Sequence, residues 1–309
     1  MKRVICLLLV CCTLLVFGAC GNKEVSDGST SVTFTDDLGR KVTVDRPQRV
    51  ACLIGSFADI WHLAGGTDTI VATAADTWTY FDIPLGEDVI NLGPTKELDL
   101  DLLKQSQPDF VIASCNTPLD VELESTFKKM GLKVAYFRVS TFDDYLEMLE
   151  ICTRITGCTD NYDLYGEPVR ARIENAIVRA DGSNPKVLCI RVTGSGCQAK
   201  TSEGNILGEM LYDLDCLNIA DQDENLQAQL DLEAVALADP DYIFVVLQSS
   251  DPKAAEQVLQ STLLSNPLWQ SLRAVHSEQF YILDPVLFNL KPNDRWGEAY
   301  EALADILYP

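Results

Sequence analysis

The sequence predicts an α/β protein of two Rossmann-like lobes, joined by a single long α-helix, with a cleft between the lobes. Three observations support this fold class. Short apolar runs alternate with helical stretches, the same pattern restarts in the second half of the chain, and one segment occurs twice. Continuous apolar runs are typical of buried parallel strands, and their alternation with helices indicates an α/β sheet. The chain has 309 residues, 47% of them hydrophobic, which is enough for two packed lobes.

The N-terminus is predicted to be an export signal followed by a lipid anchor. Residues 1–19 begin with a positive charge and contain an apolar run of 14 residues, shorter than the ~20 needed to span a bilayer. Cys20 follows Gly-Ala and resembles the cysteine of a bacterial lipobox, although Phe17 stands where Leu is usual. Residues 20–31 are polar and predict a flexible tether. We therefore expect the body of the protein outside the cytoplasmic membrane, at the cell surface or in a periplasm, held by lipidated Cys20.

The rest of the chain divides into two lobes and a connection. The N-terminal lobe is predicted over residues 32–159, where a hairpin (SVTFTDD, KVTVD) precedes the runs VACLI, TIVAT, DFVIAS and KVAYFRV. The C-terminal lobe is predicted over residues 182–309, with the runs KVLCIRV, DYIFVVL and QFYIL and a final helix RWGEAYEALADIL. Between them, residues 160–181 have helical spacing and predict one connecting helix. Gly166 and Pro168 predict a kink or a late start in that helix.

The repeated segment relates the lobes to one another. Leu98–Ser114 (LDLDLLKQSQPDFVIAS) and Leu230–Val246 (LDLEAVALADPDYIFVV) are offset by 132 residues throughout. Each predicts a helix that ends before Pro-Asp and leads into a strand. Asp101 and Glu233 occupy matching positions in the first turns of these helices. Two interpretations remain open for this pair: ordinary acids favoured by the helix dipole, or a matched docking pair.

Charge and composition exclude several classes of partner and site. Lys and Arg total 24 against 46 Asp and Glu, a net charge of −22, so the surface repels nucleic acid. Seven of the eleven cysteines lie beyond Cys20, without a CxxC pair, which favours free thiols over a zinc ribbon. The only histidines, His62 and His276, lack the spacing of a zinc or manganese site. Axial ligation of a haem iron by His62, Tyr80 or a methionine stays open.

The repeated segments, together with FTDDLGRKVTVDRPQRVACLIGSFADIWHLAGG, FKKMGLKVAYFRVSTFDD and PLWQSLRAVHSEQFYILD, resemble a known family along nearly the whole mature chain. The family is that of the substrate-binding lipoproteins of ABC importers for iron-siderophore, haem and cobalamin. The resemblance implies a monomer without a covalent cofactor, which carries one such chelate in the cleft between lobes held nearly fixed by one helix. It also implies that Asp101 and Glu233 pair with arginines of the membrane permease, which works with an ATPase. Asp101 is one methylene shorter than the Glu of many relatives.

Candidate ligand-binding residues follow from strand ends, because ligands of open α/β sheets bind beyond the carboxyl ends of the strands. The set is Ser56, Phe57, Asp76, Trp78, Ser114, Asn116, Arg138, Arg191, Thr193, Lys200, Gln248, Phe288 and Lys291. Its four basic side chains favour an anionic ligand, such as a catecholate or carboxylate siderophore. Its three aromatic side chains offer flat apolar surface to a macrocycle.

Two other classes of function are weighed against solute binding. An extracellular hydrolase is disfavoured, because the chain contains no GxSxG, HExxH, GxxxxGK[ST] or strand-associated GxGxxG motif. A surface-anchored adhesin or scaffold remains as the alternative, and it predicts no tight binding of a small molecule. We therefore expect a binding protein rather than an enzyme.

Overall fold

Residues 31–249 and 252–309 are described by the computed structural model of the protein, so the predicted signal peptide and Cys20 lie outside the described residues. The strands are β1 (Ser31–Thr35), β2 (Lys41–Asp45), β3 (Val50–Cys52), β4 (Ile70–Thr73), β5 (Ile90–Asn91), β6 (Phe110–Ser114), β7 (Val134–Phe137), β8 (Lys186–Thr193), β9 (Gly196–Lys200), β10 (Leu217–Asn218), β11 (Tyr242–Leu247) and β12 (Phe280–Leu283). Within these ranges, no helix has the length and hydropathy required to cross a bilayer.

Helices occupy most of the connections between these strands. They are α1 (Gly55–Leu63), α2 (Asp76–Tyr80), α3 (Leu100–Gln105), α4 (Pro118–Glu122), α5 (Glu124–Lys129), α6 (Phe142–Thr156), α7 (Asp160–Tyr165), α8 (Glu167–Ile177), α9 (Ile206–Asp213), α10 (Glu224–Ala228), α11 (Leu232–Ala238), α12 (Pro252–Leu259), α13 (Pro267–Gln270), α14 (Arg273–His276), α15 (Pro285–Phe288) and α16 (Trp296–Leu307). A π-helical turn, Gln260–Leu264, continues α12.

The strands form two parallel sheets, one in each lobe, which confirms the predicted fold class. The N-terminal sheet has the order β5-β4-β3-β6-β7, and the C-terminal sheet has the order β10-β8-β11-β12, with β9 antiparallel to β8. Helices cover both faces of each sheet, so the strands read as continuous apolar runs: all five residues of β6 are buried. The predicted hairpin is also present, as β1 and β2 pair in antiparallel register around Gly39 at φ +76°.

The repeated segment adopts the same structure in both lobes. Asp99 accepts hydrogen bonds from the first backbone amides of α3, and Asp231 does the same for α11. Helix α3 leads into the central strand β6, and α11 leads into the central strand β11. In register, Val50 of β3 pairs with Phe110, and Val187 of β8 pairs with Tyr242. The repeated segment therefore forms the same helix–strand unit in both lobes.

A single hydrophobic core extends through both lobes. Its buried members include Ile112 of β6, Leu149 of α6, Met210 of α9 and Trp296 of α16. Separate clusters cover the other face of each sheet. Because the shared core includes α6, α9 and α16, the lobes are joined by packing as well as by the chain.

The segment between the lobes contains two helices where the sequence predicted one. Helices α7 and α8 are separated at Gly166, where an added Cβ would lie 2.7 Å from the Tyr162 carbonyl oxygen. Pro168 lies in the first turn of α8, where its missing N–H removes no hydrogen bond. Helix α8 ends at Ile177 and packs along α16. An ion pair between Arg172 of α8 and Glu301 of α16 joins the two helices.

Candidate functional site: a cleft between the two sheets

A cavity of about 420 Å³ lies between the lobes, at the carboxyl ends of the strands. Its N-terminal wall follows β3, β4, β5 and β6, and its C-terminal wall follows β11 and α15. The lining residues are Ile54, Ser56, Asp76, Thr95, Lys96, Asn116, Thr117, Pro118, Leu119, Glu122, Gln248, Asn289, Leu290 and Lys291. Both lobes therefore contribute side chains to one enclosed space, as expected of a ligand cleft.

Asp76 fixes the N-terminus of α1 at the cavity wall. Both of its carboxylate oxygens accept the backbone N–H of Gly55, at 3.0 Å each. The position requires glycine, because a Cβ at residue 55 would lie 2.7 Å from the backbone nitrogen of Thr77. Burial raises the pKa of Asp76, whereas the Gly55 amide and the positive charge of Lys291 act in the opposite direction. The carboxylate is thus held by backbone on one side and faces a cation on the other.

Polar contacts also order the loop that follows β6. The Ser114 hydroxyl accepts the N–H of Asn116 at 3.1 Å, and the Asn116 side-chain amide donates to the Ser140 hydroxyl at 3.0 Å. Asp120 accepts the Ser114 N–H at 2.8 Å. Burial raises the pKa of Asp120 to about 7, and the negative charge of Asp76 adds to the effect. These contacts fix the side chains that α4 presents to the cavity.

Three cations of the C-terminal lobe meet at this cleft. Lys291 lines the cavity, and burial together with the charge of Arg191 lowers its pKa to about 8, which Asp76 partly offsets. Burial also lowers the pKa of Arg191, and burial and Arg191 together lower that of Lys200. Throughout the described part of the chain, no carboxylate lies within ion-pair distance of any of the three. The cleft therefore carries positive charge that Asp76 offsets only in part, from beyond ion-pair distance.

Arg191 and Lys200 line a narrow recess of about 10 Å³, close to the space of one water molecule. Phe288 and Asn289 also line the recess, and Asn289 lines the main cavity as well. The recess thus adjoins the cavity across one asparagine side chain. Arg191 and Lys200 lie on β8 and on its antiparallel neighbour β9, which places them on one sheet.

The predicted ligand-binding residues fall into three groups. Five line the main cavity, namely Ser56, Asp76, Asn116, Gln248 and Lys291, and three line the recess, namely Arg191, Lys200 and Phe288. Five lie outside both spaces, namely Phe57, Trp78, Ser114, Arg138 and Thr193.

Local packing explains the positions of these last five residues. Phe57 is fully buried, with its ring edge-on to Phe137, and Ser114 is buried beneath the loop that it orders. Trp78 and Arg138 are exposed, and Thr193 bonds Ser195 in the turn between β8 and β9.

Several lining residues were missed by the sequence reasoning. Thr95 and Lys96 follow the two-residue strand β5, and Thr117 to Glu122 form α4 and its cap. A Pro at the start of a short polar segment, here Thr117-Pro118, is the signal that indicates a helix start. Asn289 and Leu290 also line the cavity and lie between the predicted residues Phe288 and Lys291.

The described lining of the cavity contains none of the haem ligands considered from the sequence, which were His62, Tyr80 and a methionine. Its lining, as given by the described residues, contains no histidine, tyrosine, methionine or cysteine. His62 instead bonds the Thr67 hydroxyl through Nδ1 at 2.6 Å, at the far end of α1. Among the described residues, no group of three or more His, Cys, Asp or Glu side chains is arranged to hold a metal ion. The seven described cysteines are all free thiols.

Asp101 and Glu233, the predicted docking pair, are exposed at matching positions of α3 and α11. In the part of the chain that the structure describes, neither carboxylate forms an ion pair. Each is therefore available on the surface of its lobe.

Comparison with known proteins agrees with this architecture. The chain is 24% identical over 297 residues to the Fe(3+)-citrate-binding protein YfmC of Bacillus subtilis, covering 90% of this chain and 87% of that relative. Its structure is similar to that of Staphylococcus aureus IsdE complexed with heme (TM-score 0.70, 16% identity, 84% of this chain and 99% of that chain). It is also similar to Staphylococcus aureus SirA complexed with staphyloferrin B (TM-score 0.64, 19% identity, 90% and 97%).

The model of the periplasmic binding protein family matches residues 50–287, which contain both sheets and every residue that lines the cavity except the last few after α15. The two parallel sheets, the cleft between them and this match together show that the chain belongs to the periplasmic binding protein family.

Proposed function

We propose that this protein captures a compact, anionic ferric chelate of the carboxylate type and delivers it to the permease of an ABC importer. The observation that carries the proposal is the cluster of Arg191, Lys200 and Lys291, which forms no ion pair with any described carboxylate although the chain has a net charge of −22. Burying an unpaired charge is costly, so a bound anion stabilises this arrangement. Guanidinium and ammonium groups bind carboxylate oxygens through charge-assisted hydrogen bonds.

The size of the cavity favours a compact chelate among the ligands that the family resemblance left open. Ligand cavities span roughly 300–1,000 Å³, and the 420 Å³ between these lobes lies towards the small end. A carboxylate chelate such as ferric citrate fits this space better than the larger macrocycles haem and cobalamin. The absence of an axial ligand from the described lining also favours a chelate that saturates its own iron. The curated relative, named as an Fe(3+)-citrate-binding protein, agrees with this choice.

Delivery requires two further features, which we propose together. Lipidated Cys20 tethers the protein to the outer face of the cytoplasmic membrane, and the tether at residues 20–31 lets the monomer reach its permease. Asp101 and Glu233 then present the loaded lobes to basic residues of that permease. The ATPase of the importer supplies the energy, and the binding protein makes or breaks no covalent bond.

The test is calorimetry of the purified protein with ferric citrate, a ferric catecholate, haemin and cyanocobalamin. Ferric citrate is expected to bind most tightly. Arg191→Gln is expected to weaken it by about 1.5–3 kcal/mol, or roughly 10- to 100-fold, because one charge-assisted contact is lost. Lys128→Gln, at an exposed lysine of α5 remote from the cleft, is the charge-matched control.

Equal affinity of the Arg191 and Lys128 variants would contradict the cation site. Tight binding of haemin or cobalamin with weak binding of ferric citrate would contradict the choice of chelate. Failure of all four ligands to bind would favour the adhesin alternative. For the tether, Cys20→Ser is expected to release the protein from membranes, and retention would contradict the lipid anchor.

A further inference from the structure

A buried asparagine joins the two walls of the ligand cleft. Asn293 is fully buried and lies two residues after Lys291, which lines the cavity from the C-terminal lobe. Its side-chain amide donates to the Ser56 carbonyl at 2.9 Å and to the Asp59 carboxylate at 2.7 Å, and both of these partners lie on α1 of the N-terminal lobe. Ser56 lines the cavity from that side. The two hydrogen bonds therefore hold the walls of the cleft to each other.

The backbone of Asn293 also depends on these contacts. Its φ is +56°, in the left-handed region, where asparagine is one of the few residues other than glycine that occur. Such a conformation costs free energy and persists where the surroundings fix it. Here the short 3-10 turn Asn293–Arg295 packs against α1 and begins α16. The hydrogen bonds of the Asn293 side chain thus help to set the path of the chain immediately after the cleft.

The hydrogen bonding between Asn293 and Asp59 is incomplete. Asn293 Oδ1 is buried and, within the described residues, receives no hydrogen bond. An unpaired buried acceptor is costly, and native structures leave few of them. An ionised carboxylate cannot satisfy it, because a carboxylate only accepts hydrogen bonds, whereas a protonated carboxyl has one O–H to donate. A neutral Asp59 would therefore complete a pair of hydrogen bonds with the Asn293 amide.

The 3-10 turn and α16 favour the neutral form of Asp59. Burial raises the pKa of Asp59 to about 6, and the negative charge of Asp294 adds to this effect, whereas the Asn293 amide and the charge of Arg295 oppose it. Arg295 donates two hydrogen bonds of 2.8 Å to Glu298. Among the described residues, no cation forms an ion pair with Asp59. The carboxyl is thus close to an acid and lacks a basic partner.

The other groups around α1 act in the same direction or are separable by mutation. Burial raises the pKa of Tyr145 on α6, and the charges of Asp294 and Asp59 add to that effect, so this phenol stays neutral. Asp76 on α2 contributes a further acid at the start of α1. His62 lies one turn after Asp59 on the same helix, and its imidazole is the group whose titration the tests must separate from that of Asp59.

We propose that Asp59 and Asn293 form a proton-dependent latch between the walls of the ligand cleft. In the neutral form, the Asp59 O–H donates to Asn293 Oδ1 while the other carboxyl oxygen accepts the Asn293 Nδ2–H. Loss of the proton to solvent breaks the first of these hydrogen bonds and leaves the second. Neither residue is in the described lining of the cavity, so both are positioning residues that act through Ser56 and Lys291. The latch is tightest in mildly acidic surroundings and loosens as pH rises.

Infrared difference spectroscopy of the unliganded protein, titrated between pH 4 and pH 8, detects the latch directly. The C=O stretch of a neutral, hydrogen-bonded carboxyl is expected to disappear with a midpoint near pH 6 and to be absent from Asp59→Asn. Asp294→Asn, the charge-matched control at the neighbouring acid, is expected to retain this band, as is His62→Gln. Loss of the band in either control, or its persistence in Asp59→Asn, would overturn the proposal.

Asn293→Gly removes the partner and keeps a residue that adopts the left-handed backbone readily. The carboxyl band of this variant should move to the frequency of an acid that donates no hydrogen bond. An unchanged frequency would show that the Asp59 O–H does not bond Asn293, and would overturn the proposal even if Asp59→Asn did not fold.

Stability against urea gives an independent measure. The pKa of Asp59 is about 6 in the folded chain against an ordinary value of 3.8, so the folded chain binds more protons between these values. The contribution of Asp59 to stability is therefore lost as pH rises through 6. Relative to Asp59→Asn, whose amide reproduces both hydrogen bonds at every pH, the unfolding equilibrium constant of the wild type is expected to rise about tenfold from pH 5 to pH 8. The same pH dependence in both proteins would overturn the proposal.

Hydrogen exchange tests whether the latch holds the walls of the cleft together. Mass spectrometry follows peptides that contain residues 53–60 and 289–296, and the wild type is compared with Asp59→Asn at the same pH so that the intrinsic exchange rate cancels. Exchange is expected to be equal at pH 5 and about tenfold faster in the wild type at pH 8. No chelate is added, so the result does not depend on the proposed ligand. Equal exchange at pH 8 would overturn the proposal.

Discussion

The two copies of the repeated segment keep the residues that shape the backbone and differ in those that face solvent. Asp109 accepts the N–H of Arg49 at the start of β3, and Asp241 accepts the N–H of Lys186 at the start of β8. Just before each Pro-Asp, Gln107 and Asp239 share the left-handed conformation, at φ +45° and +48°. These positions are constrained because a helix must end and a strand must begin there.

Solvent-facing positions show the opposite behaviour. Lys104 and Gln105 in α3 correspond to Ala236 and Leu237 in α11, so a basic, polar surface is replaced by an apolar one. The repeated segment thus preserves the backbone scaffold, while the solvent-exposed side chains differ between the lobes. Differences in function between the lobes should therefore arise from these few exposed side chains and from the loops beyond the strands.

A glycine in each lobe tests how tightly the backbone is packed around it. Gly55→Ala places a Cβ 2.7 Å from the backbone nitrogen of Thr77, and backbone cannot move aside cheaply. We expect a loss of about 3 kcal/mol in the free energy of unfolding, measured by urea denaturation. Among the described residues, the added Cβ of Gly194→Ala, in the turn after β8, would meet the Ala254 Cβ at 3.3 Å and the Ser249 hydroxyl at 3.6 Å. It is expected to cost less than 1 kcal/mol. Equal losses of unfolding free energy in the two variants would show that the backbone around Gly55 is packed no more tightly than the turn around Gly194.

Glu233 and Asp101 are expected to contribute unequally to uptake of the ligand. Glu233→Ala is expected to reduce ferric citrate uptake about 30-fold, a cost near 2 kcal/mol, because Ala236 rather than a lysine stands one turn after this acid. Asp101→Ala is expected to reduce uptake about threefold, since the positive charge of Lys104, one turn along α3, weakens the attraction of Asp101 for a cation. Ligand affinity measured by calorimetry should be unchanged in both variants and in the double variant. Equal transport defects in the two single variants would remove the asymmetry, and normal uptake in the double variant would dismiss the docking role.

The smallest expected effect concerns the charge that the C-terminal lobe adds to the cleft. Lys291 has its pKa lowered to about 8, so it loses its proton as pH rises through that value, whereas an anion bound beside it favours the protonated form. Affinity for ferric citrate should therefore fall about fivefold between pH 7 and pH 9. An arginine at position 291 stays charged over this pH range, so Lys291→Arg should abolish the fall in affinity. A fall caused by a change in the chelate itself would persist in this variant.

Stability of the unliganded protein should show the reverse dependence on pH. The unfolded chain holds the Lys291 proton up to a pKa near 10.4, so between pH 8 and that value it binds more protons than the folded chain. The contribution of this residue to stability then rises with pH across that window.

A pH-independent affinity in the wild type, or the same fall of affinity in Lys291→Arg, would exclude Lys291 as the source of the binding effect.

The sequence predicted the scaffold well because its determinants are local. Strands that are buried on both faces have continuous apolar sequences, which are easy to recognise. DFVIAS and KVLCIRV are two such runs, and they form the inner strands β6 and β8. The short elements β9 and α4 were not predicted. Strand β9 follows a turn in TGSGC that reads as loop, and it forms because the edge of β8 is available for antiparallel pairing.

The cleft was predicted only in outline, since its lining depends on tertiary packing. The rule of strand ends placed Asp76 and Gln248 at the cavity because they lie within three residues of the ends of β4 and β11. The same rule chose Phe57, but the periodicity of α1 turns that side chain into the core against Phe137. The rule did not select Lys96, because this residue lies five positions beyond β5, a strand of only two residues.

The last part of the chain completes the first lobe. The buried Asn293 donates from its side-chain amide to the Ser56 carbonyl at 2.9 Å and to Asp59 at 2.7 Å, and the Trp296 ring packs against Phe142. The N-terminal lobe is made before these partners of α1 and α6. The newly made chain is therefore expected to stay incompletely folded until residues 293–296 have been made. Such a delay would suit the passage through a translocation channel that the predicted export signal requires.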